Sequence, residues 1–273
     1  MNQEVFDKSI VMIGPIGAGK SFLGKALSRK TSLPYFALDE LRTLAHADKI
    51  EEEFSRNDVP EEERERHMRH WSHQRELRKR FPDLPNYFDF GFDMSTSKAV
   101  KVGLGEIAWH LYQKGFETRL LNEFIMRLEK PGILDMGGGM AVSLDDDYEK
   151  LLRGMSESQR RLYLKHLTQD EHVGFNKVFL ALAPFKNIVQ LKLPADYKET
   201  HSKASKNSLN DAMIASRQFD LLARFTVSTD GLIYNNGKES VGDEKRAGEI
   251  ADEILEKVQM PCKAKETKCK FER

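Results

Sequence analysis

Residues Gly14-Pro15-Ile16-Gly17-Ala18-Gly19-Lys20-Ser21 satisfy GxxxxGK[ST] in full. Glycines let the chain turn through conformations closed to residues with a Cβ, so that successive backbone N–H groups point into one concavity suited to an anion. Lys20 offers a point charge to β and γ phosphates, Ser21 offers a hydroxyl to Mg²⁺, and the helix start at Lys20, Ser21 and Phe22 adds unpaired N–H groups. The chemistry implied is the binding of a nucleoside triphosphate, ATP before GTP, together with Mg²⁺. A GTPase would add an NKxD-like base-recognition run, and a motor ATPase a longer apolar strand ending in paired acids. Neither pattern is evident.

Such a loop must be carried by a strand and followed by a helix. The apolar run Ile10 to Ile13 precedes it, and Phe22, Leu23, Ala26 and Leu27 fall on one helical face after it. Further short apolar runs at Leu33 to Leu38, Ile133 to Met136, Val178 to Leu182 and Phe225 to Val227 stand next to helix-like stretches. This predicts an α/β fold of the P-loop NTPase type, a five-stranded parallel sheet flanked by helices with a helical insertion after the second strand. Ala247, Ile250, Ala251, Ile254, Leu255 and Val258 repeat at helical spacing and predict a closing helix that ends at Pro261.

The organisation expected is one domain over 1–260, interrupted at about 42–102, and a charged tail over 261–273. Acidic clusters at Glu51 to Glu53 and Glu61 to Glu63, followed by an Arg- and His-rich run, read as exposed helices that could face a protein partner. His67, His70 and His73 rotate progressively round such a helix and are read as surface, not as a metal cluster. Phe81, Tyr87, Phe88, Phe90 and Phe92 form an aromatic loop that pins the insertion to the body, with a substrate lid as the alternative. Asp145 to Asp147 read as a helix start.

Composition narrows the class. Forty-three Lys plus Arg balance 43 Asp plus Glu, which argues against a nucleic-acid binder that neutralises many phosphates. No apolar run approaches the roughly 20 residues that span a bilayer, and the segment MNQEVFDKS has no apolar signal core. The cytoplasm is the expected location and no membrane contact is expected. Cys262 and Cys269 are read as ordinary thiols.

GPIGAGKSFLGKALSRKTSLPYFALDELR resembles the opening of a shikimate kinase, a branch of the nucleoside-monophosphate-kinase-like P-loop proteins, and GILDMGGGMAV resembles that family's strand and triple-glycine turn at the acceptor site. Gly103 to Leu128 is similar to its acceptor-site helices, and Val178 to Leu182 and Arg217 to Asp230 to its fourth strand and final substrate-side elements. The resemblance implies that Asp39 binds acceptor hydroxyls and takes the proton from the attacking one, with Lys20 as the other catalytic group. It implies that Gly137, Gly138 and Gly139 border the acceptor, where bare backbone can approach a polyol closely. The family's aspartate near the metal falls at Ala37, and Asp135 is the candidate replacement beside Ser21. The family's first carboxylate-binding arginine falls at Glu117, with Arg119 two residues on, and Arg217 lies about two positions from the second. Its arginine-rich lid is represented by Lys186, Lys192, Lys198, Lys203 and Lys206. The expected activity is transfer of the ATP γ-phosphoryl group to a hydroxyl of a small acceptor. The alternatives are a kinase for another polyol or a nucleotide, or an inactive nucleotide-binding interaction protein.

Overall fold

All four residues of β1 (Ile10–Ile13) are buried, the pattern of a strand covered on both faces. It lies at the centre of a parallel sheet with β2 (Tyr35–Ala37), β3 (Ile133–Asp135), β4 (Asn187–Lys192) and β5 (Phe225–Ser228) in the order β2-β3-β1-β4-β5. β1 pairs with β3 on one side and β4 on the other, and Asp135 of β3 stands level with both Met12 of β1 and Ala37 of β2. A phosphate loop after the central strand of a five-stranded parallel sheet is the P-loop NTPase fold. The computed structural model describes residues 2–39, 79–85, 90, 92, 94–142, 156–158, 161, 175–200, 209–235 and 240–259. The expected insertion helices with His67, His70 and His73, Tyr87 and Phe88, Asp145 to Asp147, Lys203, Lys206, Pro261 and both cysteines lie outside the described residues.

Helices cover the two faces of the sheet. On one, α1 (Gln3–Lys8), α3 (Met94–Leu104), α4 (Glu106–Met126), α5 (Phe175–Leu182), α6 (Asn210–Ala215) and α7 (Gln218–Leu222) pack around Val11, Ile13, Leu134 and Ile188. Phe81 and Phe92 belong to this core: Phe81 stacks edge-on against Phe36 and Phe124, and Phe92 against Phe116. On the other face, α2 (Lys20–Thr31) and α8 (Glu244–Gln259) bury Leu23, Leu27, Ala247, Ile250, Ala251 and Ile254 against Ile10 and Met12. The apolar repeat of the closing helix and its burial coincide.

The fourth strand needs correction. Val178 to Leu182 lies in α5, and the strand is Asn187–Lys192. A short apolar run carries no period of its own, so helix and strand read alike. Among the helix residues whose burial is described, Val178 and Leu182, four residues apart, are buried, whereas Leu180 is 69% exposed. The sequence reading also missed the hairpin of β6 (Ile233–Asn235) and β7 (Ser240–Gly242), inserted between β5 and α8.

Phe124 is fully buried and touches the rings of both Phe36 and Phe81 at centroid distances of 5.4 and 5.0 Å. Phe124→Ala is expected to lower stability by about 3–5 kcal/mol, read as a shift of the urea midpoint at unchanged m value; a change below 1 kcal/mol would show that this aromatic cluster does not hold the face together.

Candidate functional site

The loop after β1 turns on Gly19, whose φ of +78° caps α2 in a conformation that L side chains rarely adopt. Side chains of Leu232 and Ile233 close over the loop at this point, and a Cβ on Gly19 would stand 2.7 Å from Leu232 Cδ2. Lys20 is buried and its Nζ donates to the carbonyl oxygens of Gly14 and Pro15 at 2.9 and 2.8 Å. The Asn210 amide, 1% exposed, grips the loop from α6: it accepts from Ile16 N at 3.0 Å and donates to Ile16 O at 2.9 Å. This paired contact imitates a strand bridge and fixes the two peptides that flank Ile16 in the phosphate loop.

Asp135 ends β3 beside the first turn of α2. Its Oδ2 accepts from Ser21 Oγ and from Tyr35 OH, both at 2.8 Å. Burial raises its carboxyl above the ordinary carboxylate range; the Lys20 charge and the two hydroxyls oppose the rise, and Asp39 adds to it. A hydroxyl and a carboxylate oxygen in contact beside a phosphate loop form a hard-oxygen pair of the kind that Mg²⁺ takes when phosphates and water complete its shell. The buried carboxylate, held above its usual range, is the group that a bound cation would relieve. Ser21 and Asp135 therefore fit a magnesium ion.

Asp39 follows β2 and faces the turn after β3. A Cβ on Gly137 would stand 3.0 Å from Asp39 Cβ, and one on Gly138 only 2.2 Å from Ile16 Cγ1, so a side chain at Gly138 would push the turn off the phosphate loop. Behind the turn, Lys114 of α4 is 1% exposed; its Nζ donates to Gly139 O and pairs with Glu117 Oε2 at 3.1 Å. His110 lies one helical turn earlier, against Gly139. Its Nε2 is buried with no partner. Burial pulls its pKa down to about 4; the Lys114 charge adds to this, while Glu117 and the Val142 backbone oppose it.

These groups line one cavity of about 620 Å³. Ile16, Gly17, Gly19, Lys20, Ser21 and Phe22 form its phosphate-loop wall; Asp39, Asp135 and Gly137 to Gly139 come from the ends of β2 and β3; Lys101, Trp109, His110, Gln113 and Glu117 come from α3 and α4. Of the sequence candidates, Gly14, Pro15 and Ala18 complete the loop behind this wall. Arg119 and Arg217 are not brought to the cavity. Arg119 is exposed on α4, its Nη1 3.4 Å from Phe90 O. A step of two residues turns a helix by about 200°, so burying Glu117 sends Arg119 outward. Arg217 is exposed, has φ +55° and lines a separate cavity of about 300 Å³ on the Pro15 side of the loop. Lys186, Lys192 and Lys198 pair with Asp7, Asp220 and Asp211.

Sequence reasoning missed Asn210, Tyr35 and the polar face of α4. The face was open to discovery: His110, Gln113, Lys114 and Glu117 recur at helical spacing in a segment otherwise rich in Leu and Phe. Asn210 and Tyr35 carry no pattern at all, since each acts across more than 90 residues of chain.

Two outcomes follow from the buried charges. An unfolded Asp135 ionises freely while the folded one resists, so Asp135→Asn is expected to raise the melting temperature of the ligand-free protein at pH 7 while weakening Mg²⁺-nucleotide binding at least about tenfold by calorimetry. A loss of stability with unchanged magnesium dependence would remove Asp135 from the metal role. His110, facing Lys114 and Glu117, has a folded pKa of about 4 against the ordinary histidine value of 6.5. Its contribution is thus present above pH 6.5 and lost as the pH falls toward 4. Urea midpoints should show wild type losing up to about 3 kcal/mol more than His110→Gln over that window; parallel profiles would contradict this.

No family model matches the chain, and no curated protein matches it. Among solved structures, the shikimate kinase from Aquifex aeolicus vf5 is 15% identical, with 92% of this chain and 95% of that one covered at a TM-score of 0.39. The shikimate kinase from Bacteroides thetaiotaomicron is 14% identical, with 93% and 99% covered at 0.41. That from Acinetobacter baumannii, solved in complex with shikimate, is 15% identical, with 94% and 97% covered at 0.40.

Proposed function

We propose that the protein is an ATP- and Mg²⁺-dependent kinase that transfers the γ-phosphoryl group to a hydroxyl of a small acceptor, in the manner of a shikimate kinase. One observation carries this reading: the phosphate loop, Asp135, Asp39 and the glycine turn all open onto a single cavity large enough for a triphosphate tail and a small polyol. A binding module would need only the first of these.

In this reading Lys20 leaves the carbonyls of Gly14 and Pro15 and turns to the β and γ phosphates, whose oxygens compete for it with full negative charge. The loop amides hold the same oxygens, and Asn210 keeps the Ile16 peptide from collapsing into the space. Ser21 and Asp135 would hold Mg²⁺, and the ion would supply charge neutralisation for the transferring phosphoryl group. Asp39 accepts a hydrogen bond from the attacking hydroxyl. The acceptor oxygen bonds to the γ phosphorus as the bond to the β–γ bridging oxygen breaks, ADP leaves, and the hydroxyl proton passes to Asp39 or through it to water. Little covalent work falls to the protein; positioning and charge do most of it.

Lys20→Ala is expected to lower turnover by about 10²–10³ or more in an ADP-release assay with a panel of hydroxylated acceptors. Asp39→Asn should reduce kcat/KM for the acceptor by a comparable factor and leave the nucleotide Kd within about twofold. Equal loss of nucleotide binding and turnover in Asp39→Asn would make it a structural cap. Nucleotide binding without turnover of any acceptor would leave a nucleotide-binding interaction protein as the better reading.

A further inference from the structure

We infer that the acceptor end of the cavity selects an uncharged, hydroxyl-rich molecule and rejects carboxylated acceptors. This specificity rests on the kinase reading above. It comes from α4, whose His110, Gln113 and Glu117 face the cavity at spacings of three and four.

The polar atoms gathered there are mostly hydrogen-bond acceptors. His110 is 6% exposed, burial holds its pKa down to about 4 so that it is neutral at physiological pH, and its buried Nε2 has no hydrogen-bond partner. A buried polar atom without a partner is costly, and a ligand hydroxyl, which both donates and accepts, removes the cost. Glu117 and Asp39 are carboxylates, and an ionised carboxylate accepts only. A polyol supplies donors to both carboxylates and a hydroxyl to the imidazole.

A carboxylate ligand meets the opposite situation. Among the described residues that line the cavity there is no arginine, and therefore no planar fork to receive two oxygens. Its two lining lysines are Lys20, on the phosphate loop, and Lys101, which sits 4.3 Å from the centre of the Trp109 ring. Lys114 lies behind the glycine turn, bonded to Gly139 O and Glu117. Asp39 and Glu117 line this end of the cavity, and Glu117 already takes up Lys114, the buried ammonium beside the glycine turn, so a ligand carboxylate would have to compete with it for that charge.

Matched acceptor pairs test this with the full chain, ATP and Mg²⁺. Each pair joins a carboxylated ring polyol, such as shikimate or quinate, to the same ring bearing a hydroxymethyl or carboxamide group. The uncharged member is expected to show kcat/KM at least about tenfold higher, and Glu117→Gln to narrow that ratio at least about fivefold by improving use of the carboxylate. A carboxylate used as well as its partner overturns the proposal, and so does a ratio that Glu117→Gln leaves unchanged in folded protein. Should that variant not fold, the wild-type pairs decide. If no member of any pair is phosphorylated, the kinase reading fails, and calorimetry of the same pairs with ADP and Mg²⁺ still judges the pocket. Preferential uptake of uncharged members supports it; preference for the carboxylates, or binding by neither, overturns it.

Discussion

A carboxylate 2% exposed at the end of a sheet strand must be met by donors or a cation, and the way Asp135 is met organises the site. Its two hydroxyl partners come from different elements, Ser21 from the helix after the phosphate loop and Tyr35 from the edge strand. The register that sets Asp135 level with Met12 and Ala37 brings the ends of β1, β2 and β3 to one edge. One buried oxygen thereby ties together the loop, the strand that delivers Asp39 and the strand that delivers the glycine turn. Gly24 belongs to the same arrangement, since a Cβ there would stand 2.5 Å from the Tyr35 ring. The tyrosine can lie flat over α2 and reach Asp135 because that space is left open.

The opposite wall depends on a helix that divides its labour by face. α4 buries Phe116, Leu120, Leu121 and Phe124 against the sheet and turns His110, Gln113 and Glu117 to the cavity. Lys114 stands at the boundary, bonding the glycine turn and the nearest carboxylate at once. A lone ammonium buried there would shed its proton or unfold the region; paired with Glu117 and a carbonyl it can remain charged. The turn is thus held from both sides, by Lys114 behind Gly139 and by Ile16 in front of Gly138.

What could be read from the sequence was whatever depends on neighbours in the chain. The phosphate loop is continuous, and its flanking strand and helix announce themselves by period, so Lys20 and Ser21 were legible at once. Asp39 and Asp135 were legible because a strand end is a place, and the order of strands in a parallel sheet puts such ends together. Val178 to Leu182 misled because five apolar residues fit either period, and only the packing of α5 on α4 decides between them. Arg119 misled for a related reason: alignment tolerates a shift of two residues, whereas a helix turns it to the other side. Asn210, Tyr35 and the bare Nε2 of His110 had no local signature, since their roles exist only once distant segments have met.

The cavity that results is polarised. Its loop wall presents N–H donors, the start of α2 and an ammonium, while its far wall presents carboxylates that accept and an imidazole nitrogen without a partner. A phosphorylated ligand drawn to the first wall is disfavoured at the second, and a polyol with several hydroxyls finds more partners at the second than at the first. In the proposed kinase each substrate would be sorted to its own end before any chemistry, which serves a reaction that must align a nucleophile with one phosphorus atom. Asp135 stands on the donor side with the wrong sign for it. In the proposed kinase that carboxyl, which burial holds above its ordinary range, would make the wall a poor host for a bare triphosphate and a better one for a triphosphate that arrives with a divalent cation.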